Sequence, residues 1–330
     1  MTYRVMITGV GSLVGKGILD ALEGRRDGLH IIGTYFGELQ PALWRCDEIA
    51  RTETSEGPAL TAELKAVAAR SAPDLIIPGR DPDVPAVADF GPIACAGQGA
   101  RVASDKWLTY EFARAHGLPA VRSALPGNAD FGPPAISKPR CGGGSVGVRL
   151  LLTERAWERA QLDSDTILQP LLGEVPEVPD PDLGMPLFYS ARTARQGGVQ
   201  ALVGPDGDLG PMIAFEARHR FGLVAEQRLV DDPHLLAVGE AYALAFAQAG
   251  WRGPLNVSCI HDGRTWLCLE INPRFSGGTA ARTLLGFDEV GWIINRWAGS
   301  EVVPPLPGPC GDVVVQQVSA LPMWSDGRGL

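Results

Sequence analysis

The first hundred residues alternate short apolar runs with amphipathic segments, and this order restricts the fold more than any other feature of the chain. Strands are predicted at three apolar runs bounded by turn residues, namely residues 4–8, 29–36 and 73–79. Helices are predicted between them at residues 13–24 and 60–72, where apolar side chains recur with helical spacing. Alternation of strand and helix is typical of a parallel, doubly wound α/β sheet, which we predict over residues 1–102.

The remaining sequence indicates a different arrangement. Residues 104–117 predict a helix whose N-terminus Ser104 caps. From residue 185 onward short strands dominate, and Asp206-Gly207 and Asp262-Gly263 predict hairpin turns. Because 330 residues exceed the usual size of one hydrophobic core, we expect an α+β part with an antiparallel sheet to follow the first domain.

Net charge, the lack of long apolar runs and the cysteine pattern argue against several classes of protein. The formal net charge of −9 argues against a broad surface for nucleic acid or anionic membranes, although a pocket can be locally basic. No run of about 18 apolar residues occurs, so no membrane span is expected. The N-terminus leads straight into a predicted strand, so no signal peptide is expected. The six cysteines form no CxxC pair, which favours buried thiols in the reducing cytoplasm.

One predicted hairpin strand ends in residues suited to a metal and phosphate site. Glu270, Asn272 and Arg274 are spaced two residues apart, so in a strand they share one face. Mg²⁺ prefers carboxylate, amide and phosphate oxygens, and an arginine can bind a carboxylate or a phosphoryl group in bidentate fashion. A surface hairpin with solvated charges is an equal alternative from these residues alone.

A lysine on another predicted strand precedes a glycine-rich loop. Lys138 supplies positive charge, and the glycines of residues 142–147 allow backbone N–H groups to approach phosphates closely. The lysine precedes the glycines, so the stretch is not a Walker A loop. Taken alone the loop is a weak signal, because glycine-rich surface turns are common.

Together these motifs resemble the ATP-grasp superfamily, and within it the carbamoyl-phosphate-synthase-like domains and carboxylate–amine ligases. The resemblance spans about residues 1–300 and rests on five stretches in the family's order: SDKWLTYEFARAHGLP (104–119), SKPRCGGGSVGV (137–148), ILQPLLGE (167–174), GPLNVSCI (253–260) and CLEINPRFSGG (268–278). It implies an α/β, Rossmann-like N-terminal domain without nucleotide, residues 1–102, followed by an α+β ATP-grasp fold of two subdomains. The small subdomain, residues 103–165, carries the glycine-rich loop, and the large subdomain, residues 166–330, carries the metal site.

The resemblance implies an ATP site between the two subdomains. The phosphates are contacted by two lysines and the glycine-rich loop, here Lys106, Lys138, Gly142, Gly143, Gly144 and Ser145. Adenine is contacted through the backbone around Gln169, Pro170 and Leu171. An acid binds the ribose hydroxyls, and Glu174 and Glu177 are rival candidates for that role.

The resemblance also implies a metal site and two catalytic arginines. Glu270 and Asn272 hold Mg²⁺, with Mn²⁺ as an alternative. Arg274 handles the acceptor carboxylate or the acyl phosphate. Arg218 stands where relatives often carry a basic residue near the phosphates or the substrate, and an exposed charged strand is an equal alternative.

The implied function is an ATP-dependent ligase that activates a carboxylate as an acyl phosphate and joins it to an amine, with release of ADP and phosphate. Small-molecule carboxylate and amine substrates are the expected partners, without nucleic acid or membrane, and a homodimer is expected at the level of the family. A non-catalytic ATP-binding protein is an alternative, because Ser258 stands where many relatives have an acidic or glutamine metal ligand. Whether Ser258 or Asn256 contributes to the metal site is open at this point.

The glycine turn near the N-terminus raises a second alternative, a Rossmann-type NAD(P)-dependent oxidoreductase. Gly9, Gly11 and Gly15 depart from the dinucleotide-binding spacing, and the second predicted strand is followed by no acid before Glu38. We therefore interpret these residues mainly as tight-turn and packing glycines. A lesser hypothesis gives the helix N-terminus after this turn, together with residues 78–83, a role in the acceptor pocket.

Overall fold

A computed structural model of the chain describes residues 2–186, 194–220 and 223–316. Its first four strands are β1 (Tyr3–Ile7), β2 (Leu29–Phe36), β3 (Glu48–Thr52) and β4 (Leu75–Ile77). The first three α-helices are α1 (Leu13–Ala21), α2 (Gly57–Ser71) and α3 (Asp83–Val87). The strands form one parallel sheet in the order β3-β2-β1-β4, which confirms the parallel sheet predicted for this region.

Strand β3 was not predicted from the sequence. It pairs with β2 at the edge of the first sheet, and its exposed and buried residues alternate. Ile49 and Arg51 face solvent while Ala50 and Thr52 are buried. An edge strand of this kind lacks the continuous apolar run that marks a strand buried on both faces.

The helix predicted for residues 104–117 is interrupted near its start. The structure has α4 (Ala100–Ser104) and then α5 (Lys106–Ala115). Between them, Asp105 has an extended backbone, and its Oδ1 accepts the N–H groups of Trp107 and Leu108 at 2.8 and 3.2 Å. The predicted cap, Ser104, is therefore wrong: Asp105 caps α5, because its short acidic side chain satisfies the free N–H groups of the first turn.

The second sheet is small and antiparallel. It contains β5 (Ala135–Pro139), β6 (Arg149–Leu151), β7 (Thr166–Pro170) and β8 (Met185–Pro186), with α6 (Glu154–Arg159) between β6 and β7. The strand order is β7-β5-β6-β8. The glycine-rich loop connects β5 to β6, so Lys138 lies on the strand immediately before it.

The third sheet is antiparallel and has six strands. They are β9 (Gln196–Val203), β10 (Leu209–Arg220), β11 (Leu223–Leu229), β12 (Gly253–His261), β13 (Trp266–Asn272) and β14 (Val313–Val315). Their order is β13-β12-β9-β10-β11-β14. The remaining helices are α7 (Pro233–Gln248), α8 (Thr279–Leu284) and α9 (Glu289–Ala298). The predicted antiparallel sheet and both hairpin turns are confirmed, whereas most of the strand predicted near residues 186–194 lies outside the described residues.

Both faces of the first sheet are buried in hydrophobic clusters that also contain residues of the third sheet. Met6 packs in a cluster with Val199 and Tyr242, whereas its neighbour Ile7 packs in a second cluster with Phe275 and Ile293. Successive residues of a strand point to opposite faces, so β1 is buried on both sides. The loops at the carboxyl ends of β1 and β4 are consequently held firmly against the third sheet. No helix among the described residues has the length and apolar character needed to cross a bilayer.

We predict that Gly239→Ala destabilises the protein, because α7 packs on β9 without space for a side chain. A Cβ at Gly239 would lie 2.2 Å from the Cβ of Val199. Overpacking of this kind lowers the free energy of unfolding by about 1–3 kcal/mol, measurable by urea denaturation. The exposed neighbour Glu240 is the control, and Glu240→Ala is expected to change stability by less than about 0.5 kcal/mol. Equal stabilities for the two variants would contradict the packing.

Candidate functional site

A single cleft of about 1160 Å³ brings most of the predicted site residues together. The second sheet and its glycine-rich loop line it on one side, and β10 to β13 line it on the other. The loops after β1 and β4 close one end. The predicted residues on its wall are Lys106, Lys138, Gly142, Gly143, Gly144, Ser145, Gln169, Arg218, Glu270, Asn272 and Arg274.

Three predicted nucleotide contacts are not brought to the cleft wall, namely Pro170, Leu171 and Glu174. Leu171 is buried, and its backbone N–H donates to the carbonyl of Pro134 at 3.0 Å. That N–H is therefore not free to bind a base. Glu174 and its rival Glu177 are both exposed in the segment after β7.

The cleft contains two lysines that converge on one carboxylate. The Nζ atoms of Lys106 and Lys138 lie 3.6 and 4.0 Å from Oε2 of Glu270. Lys106 is the first residue of α5, and its Nζ also donates to the carbonyl of Gly142 at 2.6 Å. The chain has only four lysines, so two of the four meet at this point.

A β-bulge in β13 helps to place both Lys138 and Glu270. In the ladder with β12, Glu270 lies opposite Ser258 and Cys268 lies opposite Cys259, so Leu269 has no opposing residue. The Leu269 carbonyl accepts a hydrogen bond from Nζ of Lys138 at 3.4 Å. Bulges commonly re-aim side chains beside functional sites. Here the bulge supplies an oxygen to a lysine that is only 5% exposed.

The charges of the cleft favour an anionic ligand. Burial lowers the pKa of Lys138 to about 8. Burial alone would raise the pKa of Glu270, but Lys106, Lys138 and Arg274 outweigh it and hold that pKa below its usual value. Glu270 is therefore ionised at neutral pH. One carboxylate facing two ammonium groups leaves positive charge that a polyphosphate can neutralise.

The predicted metal ligands fit a divalent cation held mainly by a substrate. Glu270 offers a carboxylate, and Asn272, which offers an amide oxygen, lies on the same wall. On β12 the side chains are neutral: Oγ of Ser258 donates to Oδ1 of Asn256 at 3.2 Å and accepts from Nδ2 of Asn272 at 3.4 Å. The described ranges contain no group of three or more His, Cys, Asp or Glu side chains able to hold a metal. One carboxylate with an amide oxygen suits Mg²⁺ bound through phosphates and water.

The guanidinium of Arg274 is already bound by another side chain of the protein, in contrast to the expectation that it binds the acceptor. Its Nε and Nη2 donate to the two carboxylate oxygens of Asp81 at 2.7 and 2.8 Å. Asp81 was singled out from the sequence only as part of residues 78–83. Its partner could not be found there, because the two residues are 193 positions apart.

Arg218 lines the cleft but faces solvent. Its side chain is 78% exposed and pairs with Glu226 across the ladder at 2.9 Å. His219 lines the cleft as well, although strict alternation would place it on the opposite face from Arg218. A register shift between these two residues breaks the alternation.

Sequence reasoning missed a buried polar network beneath the site. The amide oxygen Oε1 of Gln200 accepts from Nδ2 of Asn256 and from Nη2 of Arg282, both at 3.0 Å. Arg282 also pairs with Glu289 at 2.8 Å, and both side chains are almost fully buried. These residues come from β9, β12, α8 and α9, so no local pattern links them. The network supports the β12 side of the cleft, because buried polar groups need partners.

The N-terminal glycine turn is filled by side chains of the protein itself. A Cβ at Gly9 would lie 2.6 Å from Cγ of Arg80, and one at Gly11 would lie 1.6 Å from Oε1 of Gln40. This packing supports the interpretation of packing glycines. It also removes the main support for a dinucleotide site.

Comparison with known proteins identifies the fold. No protein-family model matches the chain, and no curated protein matches it by sequence. Among solved structures it is similar to N5-carboxyaminoimidazole ribonucleotide synthetase from Thermus thermophilus, with a TM-score of 0.68 and 21% identity over 96% of this chain and 84% of that chain. It is also similar to the biotin carboxylase domain dimer of Hydrogenobacter thermophilus 2-oxoglutarate carboxylase in complex with MgADP, ADP and bicarbonate, with a TM-score of 0.66, 15% identity and coverage of 92% and 73%.

A third similar structure is Rhizobium etli pyruvate carboxylase, with a TM-score of 0.64 and 18% identity over 94% of this chain. The chain spans only 30% of the length of that protein. The synthetase and the biotin carboxylase domain have the ATP-grasp fold of carboxylate–amine ligases. The chain therefore has the ATP-grasp fold, and the resemblance recognised in its motifs is confirmed at that level.

We predict that an amine-reactive acylating reagent separates the four lysines into two classes. Lys106 and Lys138 have side chains that are 9% and 5% exposed, whereas Lys16 is 48% exposed and Lys65 is also exposed. Acylation needs the neutral amine, and the lowered pKa of Lys138 raises that fraction, so each rate is first divided by the fraction of neutral amine. The two cleft lysines are then expected to react at least about tenfold more slowly, because buried groups react through local opening. Peptide mass spectrometry of the chain labelled over a range of pH measures this, and equal corrected rates for all four lysines would contradict the burial of the pair.

Proposed function

We propose that this protein is an ATP-dependent ligase that activates a carboxylate as an acyl phosphate and joins it to an amine, forming a C–N bond. The observation that carries the proposal is the convergence of Lys106 and Lys138 on Glu270 beneath the glycine-rich loop, inside the cleft of an ATP-grasp fold. The similar structures support it, because one of them holds MgADP and bicarbonate.

In the proposed complex the triphosphate lies against Lys106, Lys138 and the glycine-rich loop, and Gln169 lies on the adenine side. Pro170 and Leu171, and Glu174 or Glu177 for the ribose, would act only after the segment that follows β7 approaches the cleft. Glu270 and Asn272 would hold Mg²⁺ or Mn²⁺, which neutralises phosphate charge when bound. Each charge pair at about 4 Å contributes about 4 kcal/mol before desolvation costs, at an effective dielectric near 20.

The proposed reaction has two steps that the chain supports by positioning. A carboxylate oxygen attacks the γ-phosphorus, the bond to the leaving oxygen breaks, and ADP is released. The amine nitrogen then attacks the acyl carbon, the bond to phosphate breaks, and the amine gives up a proton. The glycine-rich loop excludes water that would hydrolyse the acyl phosphate. Arg274, which Asp81 holds, would act on the phosphoryl group through its charge and its one remaining N–H group, and Arg218 would stabilise charge on the acceptor group.

We also propose which domain each part of the chain forms. Residues 1–102 would form the Rossmann-like domain that borders the acceptor end of the cleft, where Ser12 and Asp81 already lie. Residues 103–165 and 166–330 would be the small and large ATP-grasp subdomains. Small carboxylates and amines of the cytoplasm would be the substrates. The dimeric biotin carboxylase domain among the similar structures supports a homodimer.

A second candidate function is ATP binding without turnover. The observation that favours it is the neutral Ser258 opposite Glu270, which leaves the cleft with a single carboxylate on these two strands. Measurable ATP binding with no product across a panel of carboxylates would support this candidate over the ligase.

We predict that Lys138→Ala and Glu270→Ala each lower acceptor-dependent ADP release by about 100-fold or more, because Lys138 supplies charge to the transferring phosphoryl group and Glu270 would hold the metal ion that neutralises it. The exposed Lys65, which does not line the cleft, is the matched control, and Lys65→Ala is expected to keep full turnover. A coupled ADP-release screen of carboxylates, with and without amino acids and ammonia, measures the effect. Mass spectrometry then identifies the products.

Full turnover in both cleft variants would refute the proposed site. Binding of NAD(P)H, followed by fluorescence, would instead favour the oxidoreductase alternative.

A further inference from the structure

The loop after β4 carries Asp81, whose carboxylate binds Arg274 just after β13 of the third sheet. Asp81 accepts two parallel hydrogen bonds from Arg274, which makes the pair bidentate. The two side chains are 25% and 9% exposed. A shielded, bidentate pair of this kind holds its geometry far better than an exposed ion pair, because neither partner is fully solvated.

The guanidinium of Arg274 is almost fully occupied by the protein. Besides its bonds to Asp81, its Nη1 donates to the carbonyl of Phe275 at 2.9 Å and its Nη2 donates to Oδ1 of Asn272 at 3.2 Å. Among the described residues, these four bonds leave one N–H group of the guanidinium without an acceptor. Asp81 therefore fixes Arg274 in a single orientation above the metal-binding strand.

The glycine-rich loop passes beside this ion pair. A Cβ at Gly143 would lie 3.1 Å from Oδ2 of Asp81 and 3.3 Å from Nη2 of Arg274, so the loop approaches the pair at a distance that leaves no room for a side chain. At the flanking positions Gly142 and Gly144, a Cβ would meet nothing within 4 Å. The hydrogen bond from Nζ of Lys106 to the carbonyl of Gly142 also connects the loop to the rest of the chain.

We propose that Asp81 is a positioning residue for the glycine-rich loop. Asp81 holds Arg274, and the resulting ion pair is the surface on which Gly143 settles when the loop covers the cleft. A loop of the first sheet thus positions the glycine-rich loop over a site whose other groups come from α5 and from the second and third sheets. The consequence for turnover rests on the proposed ligase function, whereas the seating of the loop is a property of the chain without substrate.

The test compares Asp81→Asn with Asp208→Asn in the full-length, nucleotide-free protein. Asp208 pairs with Arg296 at 3.0 Å and does not line the cleft, so it is a matched ion-paired control. The amide of Asp81→Asn places an NH₂ group or a weaker acceptor against the guanidinium. Hydrogen exchange of residues 141–148 is expected to accelerate about tenfold or more in Asp81→Asn and to stay unchanged in Asp208→Asn. Unchanged exchange in Asp81→Asn, or equal acceleration in the control, would overturn the proposal.

A second variant tests the contact itself. Gly143→Ala adds a methyl group against the ion pair and is expected to accelerate exchange of the same segment. In an Asp81→Ala background the nearest neighbour of the added methyl group is gone and only Arg274 remains beside it, so the added effect of Gly143→Ala should be clearly smaller, because contacting residues are not additive. Additive effects would argue against the contact.

A kinetic readout separates positioning from a general loss of stability. A loosened lid lets water reach the acyl phosphate, so Asp81→Asn should raise the amount of ADP released per molecule of amide product. Asp208→Asn should leave this ratio unchanged. A wild-type chain that releases no ADP with any carboxylate would refute the ligase proposal, and the exchange experiment would still decide the role of Asp81.

Discussion

The carboxylate of Glu270 is the group on which the arrangement of the cleft depends. Lys106 lies on helix α5 and Lys138 lies on strand β5. The Nζ atoms of both approach this one carboxylate, although less than one-tenth of each side chain is exposed. Two buried ammonium groups without a counter-charge would repel one another and cost several kcal/mol in desolvation. One carboxylate offsets that cost only in part. The uncompensated charge suits the cleft to an anionic ligand.

The burial of the first sheet on both faces has an equally direct effect on the site. Met6 and Ile7 anchor the same strand in two separate core clusters, so the loops at its carboxyl edge cannot drift relative to the third sheet. Asp81 reaches Arg274 for this reason. The strand that carries Glu270 and Asn272 is therefore connected to the first sheet at the end of the cleft where the glycine-rich loop passes the ion pair.

Several features of the site could be predicted from short-range pattern. Glu270, Asn272 and Arg274 line one wall, as the two-residue period of a strand requires, and Lys138 precedes a loop that covers the same cleft. The pattern was insufficient where the chain departs from regular geometry. The bulge at Leu269, the interruption at Asp105 and the broken alternation at Arg218 and His219 each change which way a side chain or carbonyl points. None of them has a signature in residue spacing.

The sequence by itself determined most of the strands and helices of the first domain, the two kinds of sheet and the candidate residues for phosphate and metal, and it favoured a packing role for the N-terminal glycines. These depend on periodicity and turn chemistry, which act between residues a few positions apart. Only the tertiary structure decided that Arg274 is held by Asp81, that Leu171 turns its N–H toward Pro134, and that Gln200, Arg282 and Glu289 support the site from below. Partners of buried charges are chosen by proximity in the folded core, and residues up to 193 positions apart leave no record of that proximity in one sequence.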